Sequence, residues 1–265
     1  MSMSFATRKL IGATVYALCD GSGPFFRPRA EVFPGASAQS WAAADQLDPG
    51  AVDPDGRWVL HFHCYAIRFD NGPTVLVDAG IGPVDAPARS WAPVPGDLPA
   101  QFALAGIEPS TVDIVVLTHL HTDHIGWAAS GLFGNARHVL QRADAEAVST
   151  LNPALAETLL DPLGDRLQLV DGRTTIAPGL EVVHTPGHTP GHQVALLHAG
   201  PETLAVTGDL LVHALHLLDP SLEYLFDSDP RAARASRIGL LAELAPGHST
   251  LATSHPTEPF HVFTR

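Results

Sequence analysis

Thr118-His119-Leu120-His121-Thr122-Asp123-His124-Ile125-Gly126-Trp127 follows directly on Val112–Leu117, a short and continuously apolar run. An apolar run of that length ending in a polar Thr-His pair predicts a buried strand that opens onto a loop. His119 and His121, two residues apart, share one side if extended geometry continues that far. Asp123 and His124, after the chain turns, then address a neighbouring point. Four potential metal ligands within so short a segment crowd a single divalent ion, whereas two adjacent ions accommodate them.

Three later segments repeat the arrangement of an apolar strand ending in a ligand. Val182-Val183-His184 runs into the turn Thr185-Pro186-Gly187-His188-Thr189-Pro190-Gly191-His192, Ala205-Val206-Thr207-Gly208 leads to Asp209, and Leu251-Ala252-Thr253-Ser254 leads to His255. Strand ends from distant parts of a chain can assemble a site that no single segment builds.

Composition narrows the chemistry further. Among 265 residues, 15 Lys+Arg face 28 Asp+Glu, a formal net charge of −13. That excludes the basic footprint of a nucleic-acid binder and of an electrostatic membrane-surface protein. Lys9 is the sole lysine, so Schiff-base chemistry has no candidate in the body of the chain. The 15 histidines equal all the lysines and arginines together, and imidazole is the commonest metal ligand. Cys19 and Cys64 are too few for a disulfide framework or a four-cysteine zinc site. Arg8-Lys9 precedes an apolar stretch, but Leu10–Cys19 alternates like a strand and lacks a small-residue cleavage site, so it reads as β-structure and the expected compartment is the cytoplasm. No apolar run approaches the roughly 20 residues of a membrane span.

The layout predicts an α/β protein, with two sheets covered by helices in one domain over 1–265. Residues 20–56, rich in Gly, Pro, Ala and Asp yet carrying Phe25, Phe26, Phe33 and Trp41, form a long loop or lobe packed on the body. Strands are expected over 58–69, 74–78, 112–117, 180–184, 194–198, 204–207 and 251–254. Helices are expected over 98–105, 143–150 and 153–160, with another from the Asp229-Pro230 cap to about Ala245.

In the order His119-x-His121-x-Asp123-His124, His188, Asp209, His255, the sequence resembles the metallo-β-lactamase superfamily of hydrolases from about residue 58 onward. The resemblance implies a four-layer αβ/βα sandwich with metals at the edge of two facing sheets. It implies that His119, His121 and His188 hold one divalent ion and that Asp123, His124 and His255 hold a second, with Asp209 bridging. Zinc is the first choice of metal, with manganese, iron or cobalt as alternatives. A metal-bridging hydroxide would then be the nucleophile, with Asp123 orienting it or protonating the leaving group. Asp78 resembles an aspartate that supports the site from behind its ligands.

Within the superfamily the chain looks most like the lactonase and organophosphate-hydrolase branch, on the extended lobe, the 185–192 turn and GDLLVHALHLLDP at 208–220. Acyl-homoserine lactonases of this type often have a tyrosine three residues after the bridging aspartate. Here that position is Val212, so His213 is the candidate donor to a substrate oxygen. Trp127 and Phe26 are the candidate substrate wall. The expected activity is opening of a lactone or related ester, a small-molecule substrate. A phosphotriesterase or thioesterase on the same fold is the alternative, and a mononuclear iron oxygenase a more distant one. An exposed apolar lobe would favour a homodimer.

Overall fold

A computed structural model describes residues 5–128 and 130–264. Seven strands form the first sheet in chain order: β1 (Ala6–Leu10), β2 (Ala13–Pro24), β3 (Val59–Phe69), β4 (Thr74–Val77), β5 (Ile114–Val116), β6 (Arg137–Gln141) and β7 (Leu167–Val170). The second sheet holds β8 (Thr174–Ala177), β9 (Leu180–His184), β10 (Gln193–Ala199), β11 (Glu202–Val206), β12 (Ser249–Ala252) and β13 (Phe260–Phe263), ordered β13-β12-β11-β10-β9-β8. The helices are α1 (Arg29–Val32), α2 (Ala38–Leu47), α3 (Leu98–Ala105), α4 (Arg142–Leu151), α5 (Pro153–Leu159), α6 (Ala214–Leu218) and α7 (Pro230–Glu243).

Side-chain alternation sets the layers. Val75 and Val77 of β4 and Ile114 and Val116 of β5 face Val182, Leu197, Leu204 and Val206 of the second sheet. The intervening Leu76 and Val115 turn the other way, onto Leu98 and Phe102 of α3 and Leu155 and Leu159 of α5. On the far side, Val194, Leu196 and Leu251 meet Leu240 of α7 and Leu244. Strands covered on both faces need apolar residues at every position, which is why they read as unbroken runs. The architecture is therefore helices, sheet, sheet, helices, a four-layer sandwich. No helix among the described residues is long and apolar enough to cross a membrane.

The N-terminal segment differs from the single strand expected over Leu10–Cys19. Gly12, at φ 80°, turns the chain between β1 and β2, and Ile11 lies at the tip of that hairpin, 70% exposed. Only Ala13, Val15 and Ala17 keep the inward face. Residues 20–56 contain the end of β2, which continues to pair with β3, and then α1 and α2. Phe25, Phe33 and Trp58 pack there with Val212, Leu215 and Tyr224, so the lobe has an apolar cluster of its own. The short strands β6, β7, β8 and β13 and the helix α6 are additions to the elements legible in sequence.

Candidate metal centre

β5 ends at Val116, and the ligand-bearing loop leaves it at once. The carboxylate of Asp78, just past β4, anchors that departure. It accepts from the Thr118 amide (2.7 Å), the Thr118 hydroxyl (2.8 Å) and His124 Nδ1 (2.8 Å). Asp78 adopts φ 62°, a left-handed conformation that aspartate tolerates better than most residues.

Three more imidazoles of the cluster are fixed through their outer nitrogens in a similar way. Nδ1 of His119 meets Thr118 Oγ1 at 3.1 Å, Nδ1 of His188 meets Asp227 Oδ1 at 3.2 Å, and Nδ1 of His255 donates to the His61 carbonyl at 2.8 Å. Such anchoring selects the tautomer that leaves Nε2 as a lone-pair donor pointing inward. His121 differs: its Nδ1 faces Nε2 of His188 at 2.9 Å.

Two sets of ligand atoms converge. His119, His121, His188 and Asp209 form one, and Asp123, His124 and His255 the other, the atoms of each lying within 4.8 Å of one another. Asp209 stands between them. Its Oδ2 lies 3.2 Å from Nε2 of His188, while Oδ1 lies 3.2 Å from Nε2 of His124 and 3.0 Å from Nε2 of His255. The Nε2 atoms of His119 and His124 are buried without a hydrogen-bond partner. Buried polar atoms left so are costly unless something else satisfies them, and a pair of divalent cations fits this donor set of nitrogen and carboxylate oxygen.

The electrostatics agree with that fit. Burial, then the neighbouring imidazoles, holds His121 down at about 3 and His119 well below its ordinary value. Burial also opposes protonation of His188, but the Asp209 and Asp227 carboxylates hold it up at about 9. Asp209 is driven well below the usual carboxylate range, against its burial, by His255 and His124. A carboxylate encircled by imidazoles is a strongly cation-seeking position.

Backbone and helix groups complete the frame. Asp144 of α4 accepts from the amides of Leu120 (3.1 Å) and Gly191 (2.6 Å), tying together the loops that carry His119, His121 and His188. His192 takes the Asp209 amide on Nε2 at 3.1 Å and meets Thr185 Oγ1 through Nδ1 at 2.8 Å. Gly208, at φ 49°, must be glycine: a Cβ there would lie 2.7 Å from Thr118 Oγ1 and 2.9 Å from His192 Nε2.

A cavity of about 440 Å³ opens over the cluster, bounded by His121, Asp123, His188, Asp209 and His255. Phe25, Phe26, Trp91 and Phe226 form an aromatic wall, and Ala147, Val148, Leu151 and Leu155 an aliphatic one. Neither lysine nor arginine is among its lining residues. Tyr224 also lines it, its ring stacked on His188 at 5.9 Å. Burial, then the carboxylates of Asp209 and Asp123, pushes its phenol well above the ordinary value.

Of the residues singled out in sequence, the seven ligand candidates, Asp78 and Phe26 come together at this cavity or directly behind it. Two do not. The Trp127 indole is turned away from the cavity and donates to both carboxylate oxygens of Asp20, at 3.0 and 3.1 Å, which corrects its assignment as a substrate wall. His213 is buried among Phe33, Trp41 and Trp58 and accepts the Leu215 amide as the cap of α6. Its ring serves the lobe and is absent from the cavity lining, so it cannot stand in for a donor at position 212. Asp144, Asp227 and Tyr224 were not foreseen. The string Asp227-Ser228-Asp229-Pro230 was legible only as a helix cap, and Asp229 does cap α7.

Comparison with known proteins follows the geometry. The chain is 34% identical over 157 residues to an N-acyl homoserine lactonase of Bacillus thuringiensis, covering 54% of this chain and 60% of that protein. It is 29% identical over 181 residues to the N-acyl homoserine lactonase AttM of Rhizobium radiobacter, covering 62% and 66%. The matched part thus spans less than two thirds of either relative. Among solved structures, the hydrolase AbOPH of the beta lactamase superfamily superposes with a TM-score of 0.82 at 21% identity, covering 100% of this chain and 95% of that one. AidC, a dizinc quorum-quenching lactonase in complex with a product, superposes with a TM-score of 0.80 at 22% identity, covering 98% and 94%. Those two likenesses establish a shared fold. The sequence profile of the metallo-beta-lactamase superfamily matches residues 59–255, from the start of β3 to the last histidine of the cluster, and the chain belongs to that superfamily.

Proposed function

We propose that the protein is a dinuclear metal-dependent hydrolase that opens lactones or closely related esters bearing an apolar acyl group. The observation that carries this reading is the position of Asp209, one oxygen toward each ligand set, at the floor of an apolar cavity. His119, His121 and His188 would hold one cation, Asp123, His124 and His255 the other, with Asp209 shared. Zinc suits a set dominated by neutral imidazole. Two such cations, when bound, supply Lewis acidity and a water acidic enough to attack near neutral pH.

The chain supplies the rest. The aromatic and aliphatic walls hold an uncharged acyl chain and exclude bulk water, and the lack of a cationic lining residue disfavours anionic substrates. A water oxygen bonds to the carbonyl carbon while the carbonyl electron pair moves onto its oxygen. The ring C–O bond then breaks, its pair leaving on the alcohol oxygen. Asp123, whose burial raises its affinity for a proton, takes one from the water and returns it to that oxygen. The products are a carboxylic acid and an alcohol within one molecule. The relatives named N-acyl homoserine lactonase support a lactone as the electrophile.

Proton release by the zinc-loaded protein, with a long-chain acyl lactone and an aryl phosphotriester at equal concentration, tests the reading. Turnover of the lactone is expected to dominate. Preference for the phosphotriester would overturn the substrate assignment and leave the metal centre intact.

A further inference from the structure

Tyr65 and Tyr224 are both buried, but their hydroxyls fare differently. Tyr65 meets the carbonyls of Thr253 at 2.6 Å and Pro259 at 2.9 Å, as a buried phenol ordinarily does. The Tyr224 hydroxyl makes no hydrogen bond to any described residue, although the residue is only 5% exposed and lines the metal-centre cavity. A hydroxyl that faces a cavity and has no protein partner is placed to meet a ligand there.

The ring is held firmly. One neighbour is His188, nearly parallel at 24°, and others are Phe33 at 5.3 Å and Phe226 at 5.6 Å. The segment is pinned to the lobe where the Leu225 amide donates to the Val32 carbonyl at 2.9 Å. Two neighbouring donors on the wall are engaged: Ser228 Oγ with the Gly187 carbonyl at 2.9 Å, and the Trp91 indole with Thr122 Oγ1 at 3.1 Å. Val212 and His213, the positions where sequence pointed to such a donor, are buried in the lobe.

Resting on the hydrolase reading above, we infer that the Tyr224 hydroxyl is a catalytic donor to the substrate carbonyl oxygen, engaged as negative charge develops there. A neutral phenol fixed by packing donates without reorganising when the charge appears, which is the requirement for stabilising an oxyanion. The segment before α7 thus supplies a donor that the segment after Asp209 lacks.

The test compares the zinc-loaded full chain with its Tyr224→Phe variant, which keeps the ring on His188 and removes only a partnerless hydroxyl. Zinc content per chain is expected to be equal. Binding of octylboronic acid, which becomes a tetrahedral anion by adding hydroxide at boron, is measured by calorimetry. The variant is expected to bind it at least about tenfold more weakly, and to hydrolyse a long-chain lactone with kcat lower by about 10²-fold at nearly constant KM. Equal boronate affinity in the two proteins, or no binding by either, overturns the assignment. So does a loss confined to KM, which would mark Tyr224 as packing. A wild-type protein inert toward lactones and esters would refute the hydrolase reading instead, and the boronate comparison would still decide the role of Tyr224.

Discussion

Asp227 joins Arg237 to His188: its Oδ2 accepts from the guanidinium at 3.0 Å, and its Oδ1 meets the imidazole Nδ1 at 3.2 Å. The side chains of Asp227 and Arg237 are fully inaccessible to solvent. Arg237 also donates to the carbonyls of Pro220 (3.0 Å) and Leu222 (2.9 Å), so one guanidinium serves both a candidate ligand and the segment leading to Tyr224. Asp227→Asn removes the charge that orients His188, and zinc affinity, measured by chelator competition, should fall about 10- to 100-fold. Arg237→Met strips the guanidinium from this buried carboxylate, leaving Oδ2 of Asp227 without its partner, and should cost about 3–5 kcal/mol of stability in urea titrations.

Asp209→Ala should lose metal and activity together, because the carboxylate facing both ligand sets disappears while five crowded imidazoles remain. Zinc per chain after dialysis is the direct measure. A variant retaining two zincs and wild-type turnover would refute the shared-ligand assignment.

His213 should report on stability. Burial lowers its pKa to about 4, from an ordinary value of 6.5. The unfolded chain therefore takes up this proton near pH 6.5 and the folded chain only near pH 4. Between those values the unfolded state binds more protons, so this contribution is complete above pH 6.5 and declines as pH falls toward 4. Its slope is at most about 1.4 kcal/mol per pH unit. His213→Asn keeps a side chain able to cap α6 and removes the titration. Urea midpoints at pH 7 and pH 5 should differ less in the variant, with kcat little changed.

Ala147 and Val148 place the aliphatic wall of the cavity on α4. Ala147→Trp should shorten the acyl chain that can be accommodated. Across a series of lactones of increasing chain length, each excluded methylene should forfeit about 0.8 kcal/mol, roughly fourfold in kcat/KM. A uniform loss at every length would show that the wall does not contact the chain.

The ligand cluster was legible because four of its members lie within six residues and the others end apolar strands. Their supports were not, because they arrive from far away: Asp144 reaches the Leu120 amide across 24 positions, and Asp227 reaches His188 across 39. Adjacency in sequence also misleads about direction. Trp127 follows the cluster closely, yet its indole crosses to Asp20, 107 residues away. His213 lies four residues after Asp209, but the chain has by then turned into the aromatic packing of the lobe. The long strands announced themselves through continuous apolar runs. The hairpin at Ile11-Gly12 did not, since an exposed isoleucine at its tip continued the alternation of the strand beyond it.

The candidate ligands come from both sheets: His119, His121, Asp123 and His124 follow β5 of the first, while His188, Asp209 and His255 follow β9, β11 and β12 of the second. Where the sheets meet, Gln193 at the start of β10 donates its amide to the Thr118 carbonyl at 2.8 Å and its side chain to the Leu117 carbonyl at 2.8 Å. Neither sheet can assemble either ligand set alone. A pair of bound cations would therefore rivet the two halves of the sandwich, so that affinity for metal becomes a gauge of how well the halves are docked. Mutations far from the cluster that loosen this seam would register first as lost metal, before either sheet had come apart.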